Sequence, residues 1–141
     1  MATDIRPANW PLGSGYSHGF SAEGRAVFVA GQIGWDPVMQ TIVPGGMPAQ
    51  VRQALANIAA VLDAAGAHPG HLVRLTWFIT DREAYTQDRK AIGAAYREVI
   101  GRNFPPMSVI VVAGLLEPGA MVEIEATAVI PSDTRVNSTG A

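Results

Sequence analysis

LVRLTWFIT, Leu72 to Thr80, is the stretch on which the fold turns. It is β-branched, aromatic and apolar at nearly every position, the pattern of a strand covered on both faces. AVFVAG, Ala26 to Gly31, and SVIVVA, Ser108 to Ala113, share that character and read as two further strands. MVEIEATAV, Met121 to Val129, alternates instead. It sets Val122, Ile124, Ala126 and Ala128 on one face and Glu123, Glu125 and Thr127 on the other.

Two helices are predicted between these strands. From Met47 to Ala65, the residues Val51, Ala54, Leu55, Ile58, Val61, Leu62 and Ala65 follow the spacing of one buried stripe. Gly66 is placed to end that helix, with Pro69 just beyond. After the long strand, Thr80 and Glu83 read as a capping-box pair opening a second helix. Tyr85, Ile92, Tyr96 and Val99 carry its spacing, and Gly101 closes it. WDPVMQTIV, Trp35 to Val43, reads as a turn leading into a second, shorter strand, and LLEPGA, Leu115 to Ala120, as a turn. The predicted order is β-β-α-β-α-β-β, an α/β sandwich with two helices on one face of its sheet. No helix remains for the other face, so the apolar strands predict a symmetric homo-oligomer that covers it.

Composition agrees. Of 141 residues, 48% are apolar and only 16% charged, little charge for a monomer's surface. Length fits a single domain over residues 1–130, and the small, polar segment 131–141 reads as a disordered tail. A net charge of −2 with no basic block gives a nucleic-acid partner no electrostatic support. The absence of cysteine removes disulfides, thiolate catalysis and the commonest zinc frameworks. No apolar run approaches the roughly 20 residues of a membrane span. MATDIRPANW, Met1 to Trp10, lacks the cationic start and apolar core of a signal peptide, so the expected location is cytoplasmic.

Few residues suggest chemistry. Glu123 and Glu125 share the side of their strand away from the helices, either as a hydrated rim or as the lining of an intersubunit cleft. In a cleft, partial desolvation would push a carboxyl group toward values useful for proton transfer. His68 and His71 flank a proline-glycine turn without metal-ligand spacing, and no metal site is expected. His18 lies in the glycine-flanked GYSHGF, Gly15 to Phe20. No serine has a paired base and acid. GSGY and PGG do not link a strand to a helix and make poor phosphate cradles. Trp35 and Trp77 read first as packing residues.

A longer set of segments adds to this. GYS at Gly15 to Ser17, VFVAGQI at Val27 to Ile33 with Asp36 and Pro37, and QALAN at Gln53 to Asn57 come first. AAG at Ala64 to Gly66, the Phe104-Pro105 pair and EIEA at Glu123 to Ala126 follow. In this order, across residues 11–130, the chain resembles the RidA/YjgF family of enamine and imine deaminases. The resemblance implies a chorismate-mutase-like homotrimer with inward-facing sheets and a small-molecule substrate in each intersubunit cleft. It implies hydrolysis of unstable enamines or imines to a keto acid and ammonia, without metal or organic cofactor. By position, Glu123 matches the family's water-positioning carboxylate, Tyr16 its cleft tyrosine, and Gly31 the small-residue turn that approaches the ligand. Glu125 then falls toward the rim as scaffold.

The departure from the family is FPPMS, Phe104 to Ser108. Met107 stands where the deaminases carry an arginine that clamps the substrate carboxylate, and a thioether forms no such charge-assisted pair. Arg89, expected on the inner stripe of the second helix, can supply a guanidinium from another direction, or can pack its stem and leave its head in solvent. Met107 and Trp35 would line a long apolar pocket, favouring a substrate bulkier than 2-aminoacrylate, of the 2-aminomuconate kind. The competing expectation is a binding protein that keeps the clefts and has lost the chemistry. Ribonuclease activity, also ascribed to relatives, is disfavoured by the acidic balance.

Overall fold

The structure is a computed structural model that describes residues 2–132. Most of the tail, 133–141, lies outside the described residues. The chain opens with β1 (Thr3–Ile5), which pairs antiparallel with β2 (Gly19–Ser21). It continues through β3 (Arg25–Ile33), the short strands β4 (Trp35–Asp36) and β5 (Thr41–Ile42), and helix α1 (Gly46–Ala64). A 3-10 turn (Pro69–His71) leads into β6 (Leu72–Ile79). Helices α2 (Arg82–Gln87) and α3 (Arg89–Val99), then β7 (Met107–Val111) and β8 (Val122–Ile130), complete the described chain.

The main sheet has the order β3-β8-β6-β7. Its pairs are antiparallel except β6 and β7, which run parallel across the α2–α3 crossover, so the sheet is mixed. Helix α1 packs on β3, β8 and α3. Leu75, Trp77 and Ile79 of β6 and Val122, Ile124, Ala126 and Ala128 of β8 are buried on the helix side. Phe28, Thr76, Phe78, Glu123 and Glu125 take the other face. On that helix-free face Phe28 is 77% exposed and Ile110 42%, an apolar surface that nothing among the described residues covers.

Helix α1 ends as the sequence suggests. Gly66 adopts a left-handed φ of 78°. Its N–H reaches the Asp63 carbonyl and that of Ala67 the Leu62 carbonyl, a Schellman closure. The predicted stripe holds except at Val61, which is 40% exposed, and Ala65, which is half-buried and caps the helix rather than belonging to it. The stripe also missed two buried polar residues. Gln50 donates to the Gly119 carbonyl (3.0 Å) and accepts from the Met121 N–H (2.7 Å), fixing the turn before β8. Asn57 donates to the carbonyls of Ile33 (3.3 Å) and Trp35 (3.0 Å), holding the end of β3 against α1.

Three expectations need correction. The second helix is two, because it breaks at Asp88, whose ψ of 15° interrupts the helical backbone. Its cap is Asp81 rather than Thr80. The Asp81 carboxylate accepts from the Ala84 N–H at 3.0 Å, and so satisfies a free donor of the first turn. The strand expected after Trp35 is a separate β4–β5 hairpin outside the main sheet. The β1–β2 pair was not foreseen, since three-residue strands are too short to display alternation.

Candidate functional site

Glu123 owes its position to an irregularity in β3. The register slips between Val29 and Gln32, where Ala30 and Gly31 together oppose Glu125. This β-bulge brings the backbone of Gly31 beneath the Glu123 side chain. A Cβ built on Gly31 would meet Glu123 Oε1 at 2.7 Å and its carboxyl carbon at 2.8 Å. A side chain there would push the carboxylate out of this position. Glu123 is half-buried and Glu125 exposed, an asymmetry that follows the bulge.

A second arrangement lies at the β7 edge on the helix side. A cavity of about 600 Å³ is lined by Trp77, Tyr85, Tyr96, Phe104, Met107 and Arg89 among others. Tyr96 stacks on Phe104 (5.3 Å, 18° between planes) and on Trp77 (6.4 Å, 27°), so one wall is a series of nearly parallel rings. The Trp77 indole N–H is buried without a partner, a deficit of about 1–3 kcal/mol. Burial raises the Tyr85 phenol above its ordinary value, opposed in part by the Arg89 charge. Burial raises Tyr96 as well, and its hydroxyl donates to the Asn103 carbonyl at 2.6 Å. Both phenols are therefore neutral at neutral pH.

Arg89 is not on a buried stripe. It is exposed at the first turn of α3, with its guanidinium carbon 5.9 Å from the Tyr85 ring centre. It does line the same cavity as Met107. Among the described residues, two arginines, Arg89 and Arg97, and no carboxylate border this space, so its mouth is cationic. Such a cavity suits a small anion with an apolar or planar body.

Tyr16 stands 40% exposed in an adjoining hollow that shares Gly15 and Phe104 with the cavity. Its loop is tied down next door. The Ser17 hydroxyl donates to the Phe104 carbonyl at 2.7 Å, and the Ser17 N–H reaches that of Pro105. His18 meets the edges of Trp10 and Tyr16 and contacts the Pro11 carbonyl (2.9 Å). Trp35 lines a separate hollow with Ile33, Ile42 and Glu117, away from Met107. The long pocket expected from Met107 and Trp35 together is therefore not formed within one chain. Nor does one chain join Glu123 to Met107. Met107 pairs with Leu75 on the helix side, whereas Glu123 pairs with Phe78 on the opposite face. Among the described residues no group of three or more His, Asp or Glu could hold a metal ion, and no helix is long and apolar enough to cross a membrane.

A family model described as endoribonuclease L-PSP matches residues 10–130. The 2-iminobutanoate/2-iminopropanoate deaminase of Capra hircus is 36% identical over 105 residues, covering 74% of this chain and 73% of that protein. Its Homo sapiens counterpart is 33% identical over the same length and the same shares. Among solved structures, the Rid-family protein YyfB of Yersinia pestis, described as of unknown function, superposes with a TM-score of 0.79 at 32% identity. The match covers 92% of this chain and 98% of that one. E. coli TdcF with bound serine gives a TM-score of 0.66 at 32% identity, covering 91% and 98%.

Proposed function

The chain belongs to the endoribonuclease L-PSP (YjgF/RidA) family, and on that premise we propose that it hydrolyses reactive imines and enamines to keto acids and ammonia. The observation that carries this reading is the Glu123 carboxylate held over the Gly31 bulge on the helix-free face. A carboxylate so placed can hold a water and take its proton as the oxygen attacks the imine carbon. The nitrogen gains a proton, the resulting carbinolamine collapses to a carbonyl, and ammonia leaves. Tyr16 helps orient the water, and the Gly31 backbone lies close to the ligand.

The two arrangements become one site when copies of the chain meet. Three copies turn their helix-free faces inward, burying Phe28 and Ile110. The Gly31–Glu123 half of one subunit then faces the Arg89–Met107 half of its neighbour across a cleft. Arg89 takes the substrate carboxylate in place of the clamp that Met107 cannot provide. Met107 widens the site toward bulkier substrates of the 2-aminomuconate kind, with Trp35 at the far end of the cleft. The enzyme works in the cytoplasm without metal or organic cofactor and, with its net charge of −2, without a nucleic-acid partner.

The test is ammonia release from freshly generated imines. Glu123→Ala should abolish it while the oligomer keeps its mass in sedimentation; turnover retained by this variant refutes the assignment. Met107 favours one other reading, a trimer that binds keto acids without turnover. Saturable keto-acid binding with no acceleration of any imine would establish it.

A further inference from the structure

We propose that Arg97 sets specificity by binding a distal anionic group of the substrate, an inference that rests on the deaminase reading and deepens it. Helix α3 presents Arg89, Gly93 and Arg97 to the cavity at intervals of four residues, so the three lie along one stripe.

Gly93 is the anomaly. It sits in the middle of an 11-residue helix, where glycine is about 1 kcal/mol worse than alanine. What the helix gains is space. A Cβ at Gly93 would stand 3.3 Å from Arg97 Nη1. The Arg97 side chain therefore lies back across Gly93 toward Arg89, rather than extending from the end of the helix. Arg89 likewise reaches back toward Tyr85. The backbone positions of Arg89 and Arg97, eight residues apart in α3, are separated by about 12 Å along the axis at 1.5 Å per residue, so the two guanidinium groups sit toward opposite ends of the cavity.

That spacing fits one molecule at both ends. An extended diacid of about six carbons, with a charge-assisted hydrogen bond of about 2.8 Å at each carboxylate, bridges such a gap. Its apolar body would run past Met107 and the edges of the stacked Tyr96 and Phe104 rings, which line the cavity between the two arginines. The described ion pair joins Arg52 to Glu98 and leaves both cavity arginines to a ligand. Arg89 then holds the carboxylate beside the reacting carbon and Arg97 the distal one.

The experiment compares adipate with hexanoate, of equal length and one charge fewer, by calorimetric titration of the intact oligomer. Adipate should bind the wild-type protein about tenfold more tightly than hexanoate, the value of one added charge-assisted contact. Arg97→Gln should bring the ratio close to one, and Arg97→Lys should retain part of it. A wild-type ratio near one, or a ratio that Arg97→Gln leaves in place, overturns the proposal. Ammonia release from imines, measured in parallel, separates the two readings. A preference for adipate that disappears in Arg97→Gln, in a protein that hydrolyses no imine, keeps the anion site and removes the deaminase. Imine hydrolysis with no such preference does the reverse.

Discussion

A Cβ on Gly31 would stand 2.7 Å from Glu123 Oε1, so the carboxylate of β8 rests directly on the bulged backbone of β3. The clash would fall on the end of a flexible side chain, which can swing away without unfolding the sheet. Gly31→Ala should therefore leave the circular dichroism spectrum unchanged and displace the carboxylate. Turnover should drop by about 100-fold, the scale expected when a catalytic group moves by an ångström. Full activity in this variant would mean that the placement of Glu123 over the bulge is dispensable.

Met107 leaves the start of β7 without a cation. Met107→Arg should raise kcat/KM for short imines such as 2-iminopropanoate by about tenfold, through one added charge-assisted contact to the carboxylate. It should lower kcat/KM for bulky substrates by narrowing the cavity. Steady-state kinetics on one short and one long imine reads both effects, and a parallel rise for the two would contradict the specificity argument.

The turn before β6 should respond to pH. The Gly70 N–H donates to His68 Nδ1 (3.1 Å) and the His68 N–H to His71 Nδ1 (3.2 Å), so each ring accepts at Nδ1. Desolvation, and then the neighbouring His68, lower the His71 value below its ordinary 6.5. A histidine lowered on folding binds fewer protons folded than unfolded, so its contribution is complete above 6.5 and is lost as pH falls through 6.5 toward the folded value. Urea midpoints should decline across that window, and the decline should flatten in His71→Gln. An equally steep decline in that variant would assign the effect elsewhere.

Asn57 is the polar pin of α1. Asn57→Ala leaves the Ile33 and Trp35 carbonyls without their donor and Gln53 without its acceptor. Urea denaturation should show a loss of about 1–3 kcal/mol. A smaller loss would indicate that water replaces the amide at the end of β3.

Much of the scaffold was legible because burial imposes a period. Ile124 and Ala126 mark β8 by alternation, Leu55 and Ile58 mark α1 by helical spacing, and Gly66 marks its end. What stayed hidden has no such period. Asp88 breaks a helix whose apolar positions run on at regular spacing past it. Gln50 and Asn57 look like surface residues until the carbonyls they satisfy are placed in space. The bulge at Gly31 depends on how β3 meets β8, a relation between distant segments. The resemblance directed attention to Glu123, Tyr16, Met107 and Arg89, but not to Arg97. A glycine inside a helix with arginines four residues on either side was the available signal.

The central claim is that Glu123 of one subunit works with Arg89 of another, and subunit mixing tests it most directly. Glu123→Gln and Arg89→Ala are each expected to be nearly inactive as pure oligomers. Refolded together, they form mixed oligomers in which some clefts receive the wild-type residue at both positions. Ammonia release from a freshly generated imine should then recover to a measurable fraction of the wild-type rate. Mixed oligomers as inactive as their parents would contradict the account.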